Sequence, residues 1–150
     1  MDHSAAAGPA VTVSFAPSAT TWLKLSVVYL MAGVALGIAM GVTEDFTLKP
    51  VHAHLNLLGF ATIALSGLIY SVHPEAARSR LAVAHFWLHN SALPVMMGSL
   101  AWFLTGHPEI VPVLGVAEIV AAAGVIAFAS NVFLNVKPLA AHTAPRPSKA

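Results

Sequence analysis

The sequence predicts an all-α integral membrane protein, a bundle of four transmembrane helices. The first observation is composition, because 57% of the 150 residues are hydrophobic and only 9% are charged. A soluble domain carries about 25% charged residues, so too few charges are present here to cover a soluble surface. The second observation is that short polar segments separate four long apolar stretches. Each stretch reaches the roughly 20 residues that a helix needs to cross a bilayer.

Charge and cysteine content exclude several classes of function. The net charge is +1, which gives no basic excess, and we therefore expect no nucleic acid among the partners. The chain has no cysteine. This excludes disulfides, thiolate metal sites, Cys-ligated iron–sulfur clusters and covalent c-type heme attachment.

The predicted organisation is a flexible N-terminal tail (1–20), a transmembrane domain (21–137) and a flexible C-terminal tail (138–150). The four spans are predicted at about 21–42, 51–72, 81–105 and 110–136. The first span contains three glycines at intervals of four, which lie on one helix face and allow another helix to approach closely. They are Gly33, Gly37 and Gly41. The approaching helix belongs either to the same chain or to another subunit.

The basic residues predict the orientation in the membrane. Four spans place both termini on one side, which then holds all the basic residues except Lys49. Cytoplasmic segments are the ones enriched in Lys and Arg. We therefore predict a multi-pass protein of the bacterial inner (cytoplasmic) membrane, with both termini in the cytoplasm. The six residues on that side are Lys24, Arg78, Arg80, Lys137, Arg146 and Lys149.

His52 and His54 open the second span and are the first candidate site. An ionisable group inside a membrane helix is costly without a partner and indicates function. The two residues are two positions apart, or about 200° around a helix, so they point to different faces. His54 lies deeper and in line with Leu58 and Phe60, and it is the preferred ligand. His52 either supports it or faces water.

His85 and His89 in the third span are the second candidate site. Their spacing of four places both on one helix face. They are either ligands of a metal or polar residues that are satisfied at a helix interface. His54 and His89 are expected to differ in depth by about 13 Å, from the helical rise and the core thickness. This difference argues against both residues binding one heme within a single chain.

Glu118 and Asn56 are the candidates for supporting roles. Glu118 is expected within several ångströms of the depth of His54. It either orients a ligating imidazole through its second nitrogen, transfers protons, or is a protonated acid bonded to a neighbouring helix. Asn56 is expected to form hydrogen bonds between helices near the site. Without thiolates, imidazole ligands suit heme iron, copper or zinc. Heme b is preferred because its apolar faces suit Leu, Phe and Met, and copper comes next.

The run from His52 to Phe60 (HAHLNLLGF), followed by Leu68-Ile69-Tyr70 and by Leu81 to Asn90, resembles helices in subunit I of heme-copper oxidases and nitric oxide reductases. It is most similar to short single-subunit forms of that family, and the resemblance extends from about Trp22 to Val136. It implies heme binding by histidine in a membrane bundle. Subunit I of this family has three arcs of four helices around a pseudo-threefold axis. The chain therefore resembles one arc, and a homotrimer is the expected assembly, with ligands from symmetry-related His54 residues.

The chain also departs from the family pattern. It has no adjacent His-His pair and no His-Pro-Glu-Val-Tyr run, although His73-Pro74-Glu75 and His107-Pro108-Glu109 match the first three residues. A complete oxygen-reducing centre in one chain is therefore not expected, and no catalytic residue is assigned.

The predicted function is electron transfer, or binding or reduction of nitric oxide or oxygen, by a heme-dependent oxidoreductase. Its electron donor would be a protein or a quinol. The alternatives are a non-enzymatic heme or copper sensor or carrier, and a structural assembly partner of a respiratory complex.

Overall fold

Helices make up nearly all of the chain that the structure describes. The computed structural model describes residues 17–138, and within that range it contains no β-strand. The all-α prediction is confirmed. The helices are α1 (Ala19–Thr43), α2 (Lys49–His54), a π-helix (Leu55–Thr62), α3 (Ile63–Val72), α4 (Pro74–Ala77), α5 (Arg80–Leu104), a 3-10 helix (Pro108–Ile110) and α6 (Val111–Asn135).

Three helical segments are long and apolar enough to cross a membrane: α1, the continuous rod Lys49–Val72, and Pro108–Asn135. This second rod, Lys49–Val72, consists of α2, the π-helix and α3. Helix α5 has 25 residues, the same length as α1. Its buried histidines and its first residue, Arg80, make it less apolar, so its composition alone does not identify it as a span.

The predicted tails fall largely outside the described residues. Residues 1–16 and 139–150 are not described, and Arg146 and Lys149 lie in the second of these ranges. Helix α1 begins at Ala19, inside the predicted N-terminal tail. Ser18 caps it, because the Ser18 hydroxyl accepts a hydrogen bond from the Thr21 backbone N–H at 3.2 Å.

A short polar loop connects α1 to the second rod. Glu44 ends α1 in the left-handed conformation, with φ of 54°. The Asp45 carboxylate then accepts hydrogen bonds from the hydroxyl and the backbone N–H of Thr47, at 2.6 and 2.9 Å. These two bonds lower the pKa of the Asp45 carboxyl. Pro50 lies in the first turn of the second rod, where its missing N–H costs no helical hydrogen bond.

Helix α1 and the second rod pack antiparallel through glycines. A Cβ atom at Gly33 would lie 2.6 Å from Asn56, and one at Gly59 would lie 2.7 Å from Tyr29. Residue numbers rise along one helix as they fall along the other, which defines the antiparallel arrangement. The predicted glycine stripe therefore serves packing within the chain at Gly33, whereas Gly41 has nothing within 4 Å of the position of a Cβ.

Helices α5 and α6 form a second antiparallel hairpin. The buried face of α6 carries small residues at intervals of three or four, and a Cβ at Gly124 would lie 3.0 Å from the His89 backbone nitrogen. Small residues allow two helix backbones to approach closely in a membrane. The small buried residues are Ala117, Ala121, Gly124 and Ala127.

Trp22 of α1 packs where the two hairpins meet. Its side chain is only 1% exposed. Its ring lies 5.5 Å from the ring of Tyr70 in the second rod, and 4.7 and 5.1 Å from the rings of His85 and Phe86 in α5. One aromatic side chain thus connects α1 to the second rod and to α5, and it closes the bundle over His85.

Replacing Gly59 with alanine should destabilise the bundle. The new Cβ would meet Cβ and Cγ of Tyr29, which are close to the backbone and cannot rotate away. We expect a loss of about 1–3 kcal/mol in the free energy of unfolding, the range for overpacking a close interface. Unfolding in mixed detergent micelles, followed by circular dichroism, measures it.

Gly98→Ala is the matched control, because Gly98 is also helical and has nothing within 4 Å of its Cβ position. It should be neutral, or stabilising by up to about 1 kcal/mol through helix propensity. Equal stabilities of the two variants would contradict the close packing of Gly59 on Tyr29.

Candidate functional site: two histidine pairs

The structure places the two histidine pairs in opposite surroundings. His85 and His89 lie inside the bundle, with 0% and 1% of their surfaces exposed. Their rings are 5.5 Å apart and nearly perpendicular. Near the other end of the bundle, His52 is partly buried and His54 is exposed.

Asn131 of α6 organises a buried hydrogen-bond network next to His85. Its amide nitrogen donates to the Ala76 carbonyl at 3.0 Å and to the Tyr70 hydroxyl at 3.2 Å. Its amide oxygen accepts from the Ser79 hydroxyl at 2.8 Å and from the Asn135 amide at 2.7 Å. A single side chain therefore connects α6 to the end of the second rod, to α4 and to the start of α5.

This network determines the tautomer of His85. If the Tyr70 hydroxyl accepted from both Asn131 and His85, its own buried hydrogen would have no acceptor, so the arrangement that satisfies all three groups has Tyr70 donating to His85 Nδ1, 3.2 Å away. Nδ1 is then the acceptor, and in a neutral imidazole the proton resides on the other nitrogen. His85 is therefore the Nε2–H tautomer.

His89 is held in the same tautomer by a different partner. Its Nε2 lies 3.0 Å from the Leu58 carbonyl oxygen in the π-helix. Since a carbonyl only accepts, Nε2 carries the proton and Nδ1 has the lone pair. His89 thus connects the middle of α5 to the π-helix of the second rod.

His52 packs against α1. Its Nδ1 donates to the Gly33 carbonyl at 2.9 Å, and its ring covers Gly37, where a Cβ would lie 2.8 Å from the ring. The structure therefore places His52 at a helix interface in a supporting position. It does not point toward the same side as His54, as the angle of about 200° between them requires.

His54 points away from the bundle. Its Nδ1 donates to the Pro50 carbonyl at 2.8 Å, one helical turn earlier. Nε2 therefore carries the lone pair on an exposed ring. A histidine that ligates a metal commonly donates its second N–H to a backbone carbonyl in this way.

Glu118 and Asn56 do not contact a histidine ring nitrogen. Glu118 is exposed on the outer face of α6, and none of the hydrogen bonds or ion pairs of residues 17–138 connects it to an imidazole. The Pro50 carbonyl accepts the hydrogen bond from His54 Nδ1, so Glu118 does not orient the His54 imidazole through this nitrogen. The Asn56 amide donates to the His52 carbonyl in its own helix at 2.8 Å, and it packs on Gly33 of α1.

The π-helix directly after His54 was not predicted from the sequence. It widens the second rod from Leu55 to Thr62, and it contains the Leu58 carbonyl that His89 contacts. Leu58 is four residues beyond His54, at most about 6 Å along the axis even at the α-helical rise, so the His89 ring that contacts its carbonyl lies closer in depth to His54 than the predicted 13 Å. The two imidazoles are nevertheless separated, because His89 is buried and His54 is exposed.

The donor set limits which groups could bind. Among the described residues, no group of three or more His, Asp or Glu side chains is placed to hold a metal ion. A porphyrin does not fit at His85, because the rings of Trp22 and Phe128 lie 4.7 and 4.9 Å from its ring. His54 is exposed, so its Nε2 lone pair is accessible to a metal centre from the outer surface of the bundle.

Comparison of the chain with family models, with curated proteins and with solved structures found no match.

Sequence reasoning overlooked the residues that surround the buried pair. No local pattern assigns Trp22, Ser79, Tyr70 or Asn131 to a site, although an asparagine in an apolar span, such as Asn131, is expected to form a hydrogen bond between helices. The signal that identifies them is depth: the last turn of the second rod, the first turn of α5 and the last turns of α6 lie at the same end of the bundle. Polar residues at that level are therefore expected to meet.

Asn131→Ala should destabilise the bundle more than Asn135→Ala. The first substitution removes four hydrogen bonds, so the Ser79 hydroxyl loses its acceptor and the Tyr70 hydroxyl loses a donor, whereas the second removes one bond at a partly buried position. Buried hydrogen bonds in membrane proteins average about 0.6 kcal/mol each. The expected loss in the free energy of unfolding is about 2–3 kcal/mol for Asn131→Ala, and below about 1 kcal/mol for Asn135→Ala.

Chemical unfolding of both variants in the same detergent compares them directly. A loss at Asn131→Ala no larger than the loss at Asn135→Ala would mean that the network does not hold the hairpins together.

Proposed function

We propose that the protein is a membrane-bound b-type heme protein in which His54 is an axial iron ligand. The observation that carries this proposal is the state of the His54 ring. The Pro50 carbonyl accepts the Nδ1 proton at 2.8 Å, so the ring is oriented and its Nε2 lone pair is free and exposed. Neutral imidazole is a common axial ligand of heme iron.

The surface around His54 suits an apolar macrocycle. Leu57 and Ala61 follow His54 by three and seven residues and are exposed, Leu57 by 64%. No charged side chain lies between Lys49 and Glu75 in the sequence. A porphyrin at this surface would contact aliphatic side chains and Nε2 of His54. His85 and His89, which were lesser candidates, lack the space.

In this proposal each residue of the site has a defined task. The Pro50 carbonyl fixes the tautomer and raises the basicity of the His54 ring. His52 holds the first turn of the second rod against α1 through its bond to the Gly33 carbonyl. Bound heme would supply electron exchange if a second residue fills its remaining coordination position, or binding of nitric oxide or oxygen if that position stays open. An electron-donor protein or a quinol is the proposed source of electrons.

The second axial ligand is proposed to come from another copy of the chain. His54 and Glu118 are polar and exposed, five residues after Lys49 and seven residues after Val111, so they lie at similar distances from the same end of the bundle. Polar side chains that face lipid are costly, and an assembled neighbour would cover them. A homotrimer is the favoured assembly. Both termini are proposed to lie on the cytoplasmic side of a bacterial inner membrane, since Lys24, Arg78 and Lys137 are at that end.

The test is the heme content of His54→Gly. Purified protein should show a reduced-minus-oxidised heme b spectrum, and His54→Gly should lose at least about nine-tenths of the heme, since iron ligation dominates retention of a noncovalent heme. Added imidazole should restore binding by filling the cavity left by the side chain. His73→Ala is the matched control, because His73 lies in the loop after the second rod. It should keep its heme.

Each outcome decides between the candidate functions. Full heme retention in His54→Gly would exclude His54 as the ligand. Absence of heme from wild-type protein expressed with heme precursors would exclude the proposal, and absence of stoichiometric copper as well would favour a structural assembly partner. Six-coordinate heme that does not react with carbon monoxide would assign electron transfer, and reaction with carbon monoxide would assign gas binding.

A further inference from the structure

The buried pair His85 and His89 presents two polar atoms without a partner. Within residues 17–138, His85 Nε2 and His89 Nδ1 are fully buried and make no hydrogen bond. The residues themselves are 0% and 1% exposed. A buried polar atom that is left unsatisfied costs about 1–3 kcal/mol, so two adjacent ones in one pair of rings require an explanation.

The two atoms are complementary. The Tyr70 hydroxyl donates to His85 Nδ1, so His85 Nε2 is an N–H donor. The Leu58 carbonyl accepts from His89 Nε2, so His89 Nδ1 is an acceptor. The two nitrogens of an imidazole point to roughly opposite sides of the ring. His85 Nε2 therefore points away from Tyr70, and the His89 ring lies one turn along α5 with its centroid 5.5 Å from that of His85.

We infer that His85 and His89 bind one buried water molecule, which accepts a hydrogen bond from His85 Nε2 and donates one to His89 Nδ1.

The distances suit one water. The ring centroids are 5.5 Å apart, and the two rings make no direct nitrogen–nitrogen hydrogen bond. Two hydrogen bonds through one oxygen span up to about 6 Å between nitrogens. The rings of Trp22 and Phe128 have centroids 4.7 and 4.9 Å from that of His85 and limit the space beside this ring.

With these tautomers the pair suits water better than other occupants. A metal cation requires a lone pair from each imidazole, and the hydrogen bond from Tyr70 leaves a proton on His85 Nε2. A diatomic gas has no hydrogen to donate to His89 Nδ1. The guest must both accept and donate, as water does, and buried waters characteristically join polar groups that would otherwise be unsatisfied.

The water would complete a chain of hydrogen bonds that all run in one direction. The chain begins at Ser79 and Asn131 at one end of the bundle and passes through Tyr70 and His85. It continues through the water and His89 to the Leu58 carbonyl in the π-helix. Aligned hydrogen bonds polarise and strengthen one another in a low-dielectric interior. The site therefore binds a water molecule that completes a chain of hydrogen bonds from one end of the bundle to the π-helix after His54. This role does not depend on heme binding.

Nitrogen-15 NMR of histidine-labelled full-length protein in lipid nanodiscs, prepared without heme, tests the site. The signals are assigned by their loss in His85→Gln and His89→Gln. Both rings should be neutral Nε2–H tautomers, and the Hε2 proton of His85 should show a cross-peak to water. A proton on His89 Nδ1, a direct coupling between the two rings, or the absence of the water cross-peak would overturn the assignment.

Tyr70→Phe is a second measurement that does not require substitution of a histidine. Without the Tyr70 hydroxyl, His85 Nδ1 loses its donor, so the Nδ1–H tautomer of His85 should appear and the water cross-peak should be lost. Tyr29→Phe is the matched control, because the Tyr29 hydroxyl makes no side-chain hydrogen bond to residues 17–138, and it should leave both rings unchanged. Unaltered His85 signals in Tyr70→Phe would contradict the proposed polarity.

Discussion

The buried hydrogen bonds of Asn131, Tyr70 and His85 hold the two helical hairpins together. Apolar helices that cross a lipid bilayer gain little from hydrophobic association there, because the lipid tails are as apolar as the side chains. Specific hydrogen bonds and close packing must therefore select one arrangement. Asn131 connects α6 to α4 and to the second rod, and the Tyr70–His85 bond connects the second rod to α5. Trp22 then brings α1 onto the same group of side chains.

Histidine has two distinct uses in this chain, and the hydrogen-bond partners separate them. His85 and His89 are enclosed by aromatic rings and by the face of α6 that carries small residues, so they act as donors and acceptors inside the bundle. His54 shares the same chemistry but has a carbonyl on one nitrogen and open space at the other. Only the second setting leaves a lone pair available to an external ligand. A proposed function in heme binding therefore depends on His54 and leaves the buried pair intact.

Close approach of backbones makes both settings available. Gly33 and Gly37 allow Asn56 and His52 to pack against α1, which directs His54 to the opposite side of the second rod. Gly124 allows α6 to contact the backbone at His89, which directs the His89 ring toward the π-helix. These glycines thus help to position both histidine pairs, because they let the helices pack closely. The outward His54 and Glu118 remain exposed polar groups on the surface of the bundle.

The sequence by itself determined the all-helical class and the membrane character, because composition and apolar run length act locally along the chain. The separation of His52 and His54 onto different faces also followed from helix periodicity. Only the tertiary structure decided which histidine is buried, since that depends on which helix covers each face. The contact of His89 with Leu58 and the meeting of Tyr70, Ser79 and Asn131 join residues up to 61 positions apart, so no local pattern encodes them. The π-helix was likewise evident only in the tertiary structure, where its residues pack against α1 and α5.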